Sequence, residues 1–190
     1  RQTQGLEGMT RTTEYTLGVF GKPTRILHSE SGAKTDIARN SRGDALSITK
    51  DAGHGQSSLT ESATYDSSGV ILTTTNVWGG VSTYEYFLAA GGSPGYLERI
   101  THPAGTGTSE YAYDDVGNVV STTDKRGDTT TLSVDAENQI TQTEDWRGEK
   151  VLTYDGNGAV LTSTQSFSDG SPAVTTTNTY NCLGHATSRG

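Results

Sequence analysis

A short punctuation recurs along this chain and constrains everything between its copies: an aromatic or β-branched residue, an Asp, two variable residues, a Gly, and then a fresh alternating run. The clearest copy is Tyr113-Asp114-Asp115-Val116-Gly117-Asn118, followed by Val119-Val120-Ser121-Thr122-Thr123-Asp124 and Lys125-Arg126-Gly127. The next begins about 21 residues on, a spacing typical of short repeats, at Val134-Asp135-Ala136-Glu137-Asn138. A third reads Tyr154-Asp155-Gly156-Asn157-Gly158, and a fourth Tyr180-Asn181-Cys182-Leu183-Gly184. Upstream, Tyr65-Asp66-Ser67-Ser68-Gly69 matches well, and looser copies lie at 15–26, 37–48 and 86–100. The expectation is a single array of roughly eight hairpin units over 1–190. The pattern is already running at Arg1 and still running at Gly190, so the array is expected to be a segment of a longer chain.

The chemistry of the punctuation is that of a hairpin turn. An Asp side chain accepts hydrogen bonds from backbone N–H groups just ahead of it, and Gly at the end of the turn takes positive φ without a Cβ clash, as in a type I turn with a G1 bulge. Tyr65, Asp66, Gly69, Tyr113, Asp114, Gly117, Asn118, Asp135, Asn138, Tyr154, Asp155, Gly158, Tyr180 and Gly184 are therefore the candidate turn residues. Strict alternation then puts Val119, Ser121 and Thr123 on one face and Val120, Thr122 and Asp124 on the other. In the third copy it groups Val160 with Thr162 and Thr164, opposite Leu161 and Ser163. Residues 82–90 also alternate, Tyr84, Tyr86 and Leu88 against Glu85, Phe87 and Ala89, which is a strand period and no helix.

Composition agrees with exposed sheet. Hydrophobic residues are 31% and charged residues 19% of the 190, with 24 Gly and 4 Pro. That is too little apolar material for a conventional two-layer core, and about thirty residues are Thr, β-branched and at home on a pleated surface. Low hydrophobicity also suits disorder, but the regular placement of the apolar residues favours order. The expected fold is all-β: repeat hairpins forming a twisted, mostly antiparallel sheet, wound as a spiral or laid out as a strip. A lone hairpin is marginal, so stability must accumulate between neighbours.

The net charge of −8 and pI near 4.9 leave no basic face for nucleic acid. No apolar run reaches the length of a membrane-spanning helix. The single Cys182 cannot form an internal disulfide. His28, His54, His102 and His185 fall in different repeats without metal-ligand spacing, so they read as solvent-facing turn residues. Asp114-Asp115 and Asp155-Gly156-Asn157-Gly158 suggest calcium superficially, yet the Asp-x-Asp-x-Asp-Gly loop is missing and turn geometry accounts for them. Glu110 and Glu144-Asp145 read as surface carboxylates, not a hydrolytic pair. Gly79-Gly80 and Gly91-Gly92-Ser93-Pro94-Gly95 read as longer hairpin loops, since neither has the residues of a phosphate cradle. Trp78 and Trp146, with several Tyr, are expected to plug the wall and pair across strands, a sugar-stacking surface being the alternative. No catalysis, cofactor or metal is expected.

The Tyr-Asp-x-x-Gly repeats, strongest at 113–127 and 154–164, resemble those of the Rhs or YD-repeat family, which includes bacterial Rhs and Tc-type toxin shell proteins and YD-repeat surface proteins. The resemblance implies a repetitive β-sheet wound into a hollow shell, secreted or at the bacterial cell surface, enclosing a toxin. No Asp-Pro-containing core motif of the kind that ends such shells and self-cleaves is present, so self-cleavage and toxicity are not assigned to these residues. Two functions follow as expectations. One is a structural segment of a shell wall around a toxin domain. The other is an extracellular adhesin or self-assembling fibre subunit, whose partners would be adjacent repeats or further copies through strand edges, or a cell-surface glycan.

Overall fold

The computed structural model describes residues 2–6, 9–29, 31–53, 55–88, 94–181 and 184–189. His54, Cys182, Leu183 and most of the 91–95 loop lie outside them. Seventeen β-strands are found among the described residues: β1 (Gln2–Leu6), β2 (Met9–Leu17), β3 (Pro23–His28), β4 (Ala33–Arg39), β5 (Ala45–Asp51), β6 (Leu59–Tyr65), β7 (Ile71–Thr75), β8 (Val81–Leu88), β9 (Pro94–Thr101), β10 (Thr108–Tyr113), β11 (Val119–Thr123), β12 (Thr129–Val134), β13 (Ile140–Asp145), β14 (Gly148–Tyr154), β15 (Val160–Phe167), β16 (Val174–Tyr180) and β17 (Ala186–Arg189). The helical content is one 3-10 turn, Val19–Gly21. The chain divides into two units, Arg1–Glu85 and Tyr86–Gly190, with the boundary inside β8.

Each unit is an antiparallel meander. In the first, every strand from β1 to β8 pairs with its sequence neighbour. In the second, β9 to β17 do the same. Within each unit the register pairs join sequence neighbours, as a chain of short hairpins dictates.

Among the described residues no side chain, apolar or polar, is buried. One face of the sheet is nevertheless better covered than the other. Ser109, Tyr111 and Tyr113 of β10 and Thr130, Leu132 and Val134 of β12 are half-buried, while Thr108, Glu110 and Ala112, and Thr129, Thr131 and Ser133, are exposed. The Thr abundance is used on the open face. Hydroxyls of facing Thr residues bond across strands at Thr123–Thr129 (3.0 Å), Thr153–Thr162 (2.6 Å) and Thr164–Thr175 (3.0 Å), and in the first unit at Thr49–Thr60 (3.0 Å) and Thr64–Thr73 (2.7 Å). Cross-strand ion pairs join them, Arg25–Asp36 at 2.5 Å and Arg99–Glu110 at 2.9 Å. Such pairs are individually small contributions, each a fraction of a kcal/mol up to about 1 kcal/mol, so the ladders matter through repetition.

Strict alternation fails next to the Tyr-Asp turns. Ala112 faces Ser121 but Tyr113 faces Val119, leaving Val120 as an extra residue on β11. Likewise Thr153 faces Thr162, Tyr154 faces Val160, and Leu161 is extra. Val119 therefore shares the face of Tyr113 and not that of Ser121 and Thr123, and Val160 does not belong with Thr162 and Thr164 as alternation predicts. A β-bulge recurs at this place in seven hairpins. At Tyr65, Tyr113 and Tyr154 it places two apolar residues opposite one aromatic residue where alternation would place one.

Gly117 has φ +96, and a Cβ there would lie 2.1 Å from the Tyr96 hydroxyl oxygen; Gly127 has a similar φ of +90 but open space around it. Gly117→Val is expected to lower the thermal midpoint clearly more than Gly127→Val, because only the first adds a steric clash to a backbone cost of about 1–3 kcal/mol. Equal losses in thermal denaturation would show that φ alone is limiting.

Candidate functional site

In a repetitive sheet whose described residues bury no side chain, the joints between successive hairpins carry the architecture, so the turns and what ties them together form the candidate site. At Asp114 the Oδ1 accepts the N–H of Val116 (3.0 Å) and of Asn118 (2.8 Å). The backbone closes beneath it, Asp114 N–H to the Asn118 carbonyl at 2.9 Å and Gly117 N–H to the Asp114 carbonyl at 3.1 Å. Asp66, Asp135 and Asp155 repeat this arrangement with oxygen–nitrogen distances of 2.8–3.0 Å. The Gly position takes positive φ at Gly69, Gly117, Gly158 and Gly184, and Asn138 fills it at φ +62, a conformation that Asn and Asp adopt more easily than most non-Gly residues. At Tyr180 the acceptor is Asn181, whose Oδ1 receives the His185 N–H.

The same turn closes the opposite ends of strands, without a preceding Tyr. Asp124 accepts from Arg126 and Asp128, and Asn76 from Trp78 and Gly80. Gly79-Gly80 is thus part of a tight five-residue turn, not the longer loop that its glycines suggest. The signal was present in the sequence as Asp124-x-x-Gly127 and Asn76-x-x-Gly79.

The tyrosines do more than end a strand. Each hydroxyl donates to a backbone carbonyl on the preceding strand: Tyr65 to Ala45 (3.0 Å), Tyr113 to Leu97 (3.0 Å), Tyr154 to Ile140 (2.5 Å) and Tyr180 to Val160 (2.9 Å). Ala45, Ile140 and Val160 are each the first strand residue after the preceding turn. Tyr therefore clamps one hairpin onto the turn of the one before. Arg39 holds the same place in a degenerate copy, and its Nε donates to the Pro23 carbonyl at 3.0 Å. Nothing local in the sequence identified Arg39, because its partner lies on another strand. Tyr113 also stacks on Tyr96 at 4.8 Å, and Phe87 meets it edge-on at 6.2 Å. Burial raises the Tyr113 phenol above its usual range, aided by the neighbouring Tyr111 and Tyr96.

Turns also touch turns. The Asn118 Nδ2 donates to Asn138 Oδ1 at 2.8 Å, and the Arg42 guanidinium reaches the carbonyls of Asp66, at 2.9 Å, and of Ser67. On the opposite strand ends a Cβ on Gly53 would lie 2.4 Å from the Ser31 carbonyl, and one on Gly107 2.1 Å from that of Lys125. Gly43 and Gly53, both in turns, are the only buried positions among the described residues. Among the described residues, turns therefore pack closely on neighbouring turns.

The remaining candidates are dispersed. His28 Nδ1 lies 3.2 Å from Thr13 Oγ1 and His102 Nε2 lies 2.9 Å from Ser109 Oγ, each an ordinary surface contact. Among the described residues no three His, Cys, Asp or Glu side chains gather as a metal site would require. Glu110 pairs with Arg99, and Asp145 with Arg147. Trp78 and Trp146, expected to plug the wall, sit instead at turn tips, 88% and 67% exposed. A turn tip projects beyond the last strand pair, so neither ring has a facing strand to lie on.

The fold matches solved structures. The crystal structure of TcdB2-TccC3-Cdc42 and that of TcdB2-TccC3 without its hypervariable C-terminal region each align over 95% of this chain with a TM-score of 0.78 at 18% identity, and TcdB2-TccC3 itself over 92% with 0.76 at 17%. The chain spans about a tenth of the length of those proteins. No family model matches the sequence, and no curated protein matches it significantly. The likeness establishes the fold: this chain has the repeat-sheet architecture found in a part of TcdB2-TccC3.

Two outcomes are expected. Tyr154→Phe removes one clamp and should cost about 0.5–1.5 kcal/mol, while Val134→Tyr, at the position where the Asp135 copy lacks a hydroxyl, should raise the thermal midpoint by supplying one. No gain from Val134→Tyr would show that the clamp depends on more than position. Acid should also weaken the fold. Hydrogen bonds from the Asn118 side chain, then from the backbone N–H groups of Asn118, Val116 and Gly117, hold the Asp114 carboxyl below its usual range, and N–H groups led by Arg126 do so for Asp124. A depressed folded pKa gives stability that is present above the unfolded value near 3.9 and is lost as pH falls through the folded one. Thermal midpoints should fall below about pH 4. Asp114→Asn should blunt that loss at a modest cost at pH 7, since Asn40, Asn76 and Asn181 accept the same backbone N–H groups but an amide nitrogen in place of Oδ2 cannot accept from the Asn118 Nδ2, whereas Asp114→Ala should destabilise at both pH values.

Proposed function

We propose that this chain is a segment of the β-sheet wall of a secreted, Rhs-type shell that encloses a toxin, and that it performs no catalysis itself. The observation that carries the reading is the fold likeness to TcdB2-TccC3 over 95% of the chain, set beside a sheet with no buried side chain among its described residues. A sheet of this kind gains little from being folded in isolation. It suits a structure in which each repeat is held by the next one and the product is a surface.

The residues fit that task. Tyr clamps and turn contacts join each hairpin to its neighbour, so a wall can extend by adding copies. The Thr-covered face and the net charge of −8 keep a large exposed area hydrated. The wall reading supplies the extracellular location and the toxin partner through the family resemblance.

Electron microscopy of the longest natural chain containing these residues tests the reading. A closed, hollow particle with an enclosed, protease-protected segment is expected. Filaments of stacked copies would overturn it in favour of the fibre, and a particle without enclosed polypeptide would remove the toxin.

A further inference from the structure

We infer that Asn157 is a site of spontaneous covalent modification, at which the chain rewrites its own backbone and loosens the joint made by Tyr154. The site is independent of the wall reading. Asn157-Gly158 is the one Asn-Gly pair in the sequence. Asparagine is a thermolabile residue, and a following glycine exposes it most, because the next amide nitrogen can then reach the side-chain Cγ with no Cβ in the way.

The fold singles out this residue among its kind. The chain has seven asparagines, and each of the others commits a carboxamide atom to a hydrogen bond. Asn40 Nδ2 donates to Asp44, Asn118 Nδ2 to Asn138, and Asn178 Nδ2 to the Val160 carbonyl, while Asn76 and Asn181 accept backbone N–H groups. Asn157 gives the turn only its backbone N–H, to Asp155 Oδ1 at 2.9 Å, and its exposed carboxamide has no partner among the described residues. Gly158 is open too: the nearest atom that a Cβ there would meet is Gln139 Nε2, the end of a flexible side chain, at 3.1 Å. Asp155-Gly156 and Asp169-Gly170 also place glycine after a side-chain carbonyl carbon. Their carboxylates are occupied by turn N–H groups, and an ionised carboxylate is a poor electrophile.

The Gly158 N–H donates to the Asp155 carbonyl at 3.0 Å, so attack waits for a local opening of the turn. The Gly158 nitrogen then bonds to Asn157 Cγ, the Cγ–Nδ2 bond breaks, and Nδ2 leaves as ammonia with the amide proton. Water opens the resulting succinimide at either carbonyl, leaving aspartate or isoaspartate at position 157. Both products add a negative charge close to Asp155. Isoaspartate also lengthens the main chain by one carbon between the N–H groups of residues 157 and 159, which a single Asp155 oxygen holds at 2.9 Å each. That spacing no longer fits, and the stop that sets Tyr154 against Val160 is lost.

The test incubates the 190-residue chain in isotope-labelled water at mildly alkaline pH, where the amide nitrogen gives up its proton more easily. Peptide mapping by mass spectrometry should find labelled aspartate and isoaspartate at position 157 in excess of all the other asparagines combined. The aged chain should melt at a lower temperature than the fresh one. Asn157→Gln, whose longer side chain closes the corresponding ring far more slowly, should keep its midpoint through the same treatment. Absence of label at position 157, label spread evenly over the asparagines, or an aged chain that carries isoaspartate there and melts as before would overturn the assignment. The first two outcomes are read on the unsubstituted chain and decide even if Asn157→Gln fails to fold.

Discussion

When no side chain among the described residues leaves water completely, the hydrophobic term that usually dominates folding is reduced to half-covered rings and methyl groups. What must then be guaranteed is register, since a slip of one residue moves every side chain to the wrong face. At the Asp and Asn turns the guarantee is an oxygen atom at the head of the turn. Asp114 Oδ1, holding two N–H groups of its own turn, fixes where β10 stops and β11 starts. The ladders of Thr pairs, the bulges and the Tyr clamps are all geometric consequences of that stop being in the right place.

The turns also take over the role of a core. A conventional domain is packed most tightly at its centre and is loosest in its loops. Here, among the described residues, close backbone approaches occur where one turn rests on the next, at Gly53 against Ser31 and Gly107 against Lys125, as well as between strands at Gly148 against Ser166. Glycine at these places serves two demands at once, positive φ and the absence of a Cβ toward a neighbouring carbonyl. That explains why a chain with so few apolar residues holds so many glycines.

Much of this was legible in the sequence because a hairpin is a local object. Tyr-Asp-x-x-Gly names its own turn, the positive-φ position and the two strands that flank it, and Asn138 could be placed by spacing where Gly is absent. Three things were not legible. The bulge beside Tyr113 and Tyr154 depends on how two strands count against each other, which alternation within one strand does not contain. The hydroxyl clamps join residues 14 to 20 apart in sequence, so the part played by Arg39 was hidden behind its charge. The tryptophans looked like lining because large rings usually are, and only the position of the turns shows that Trp78 and Trp146 lie beyond the last strand pair.

The clamps form between adjacent strands only, and this bears on how such a sequence can change over time. A substitution in a packed core is felt from many directions, whereas the loss of a hydroxyl at one hairpin is felt by that hairpin and the one before it. Val134, which has no clamp to offer, sits between copies that do, and the strands on both sides of it are still paired in the same register. Errors are contained within a step of the array. A sheet built this way can drift far in sequence while its architecture stays recognisable, which is how a chain at 18% identity can superpose over 95% of its length.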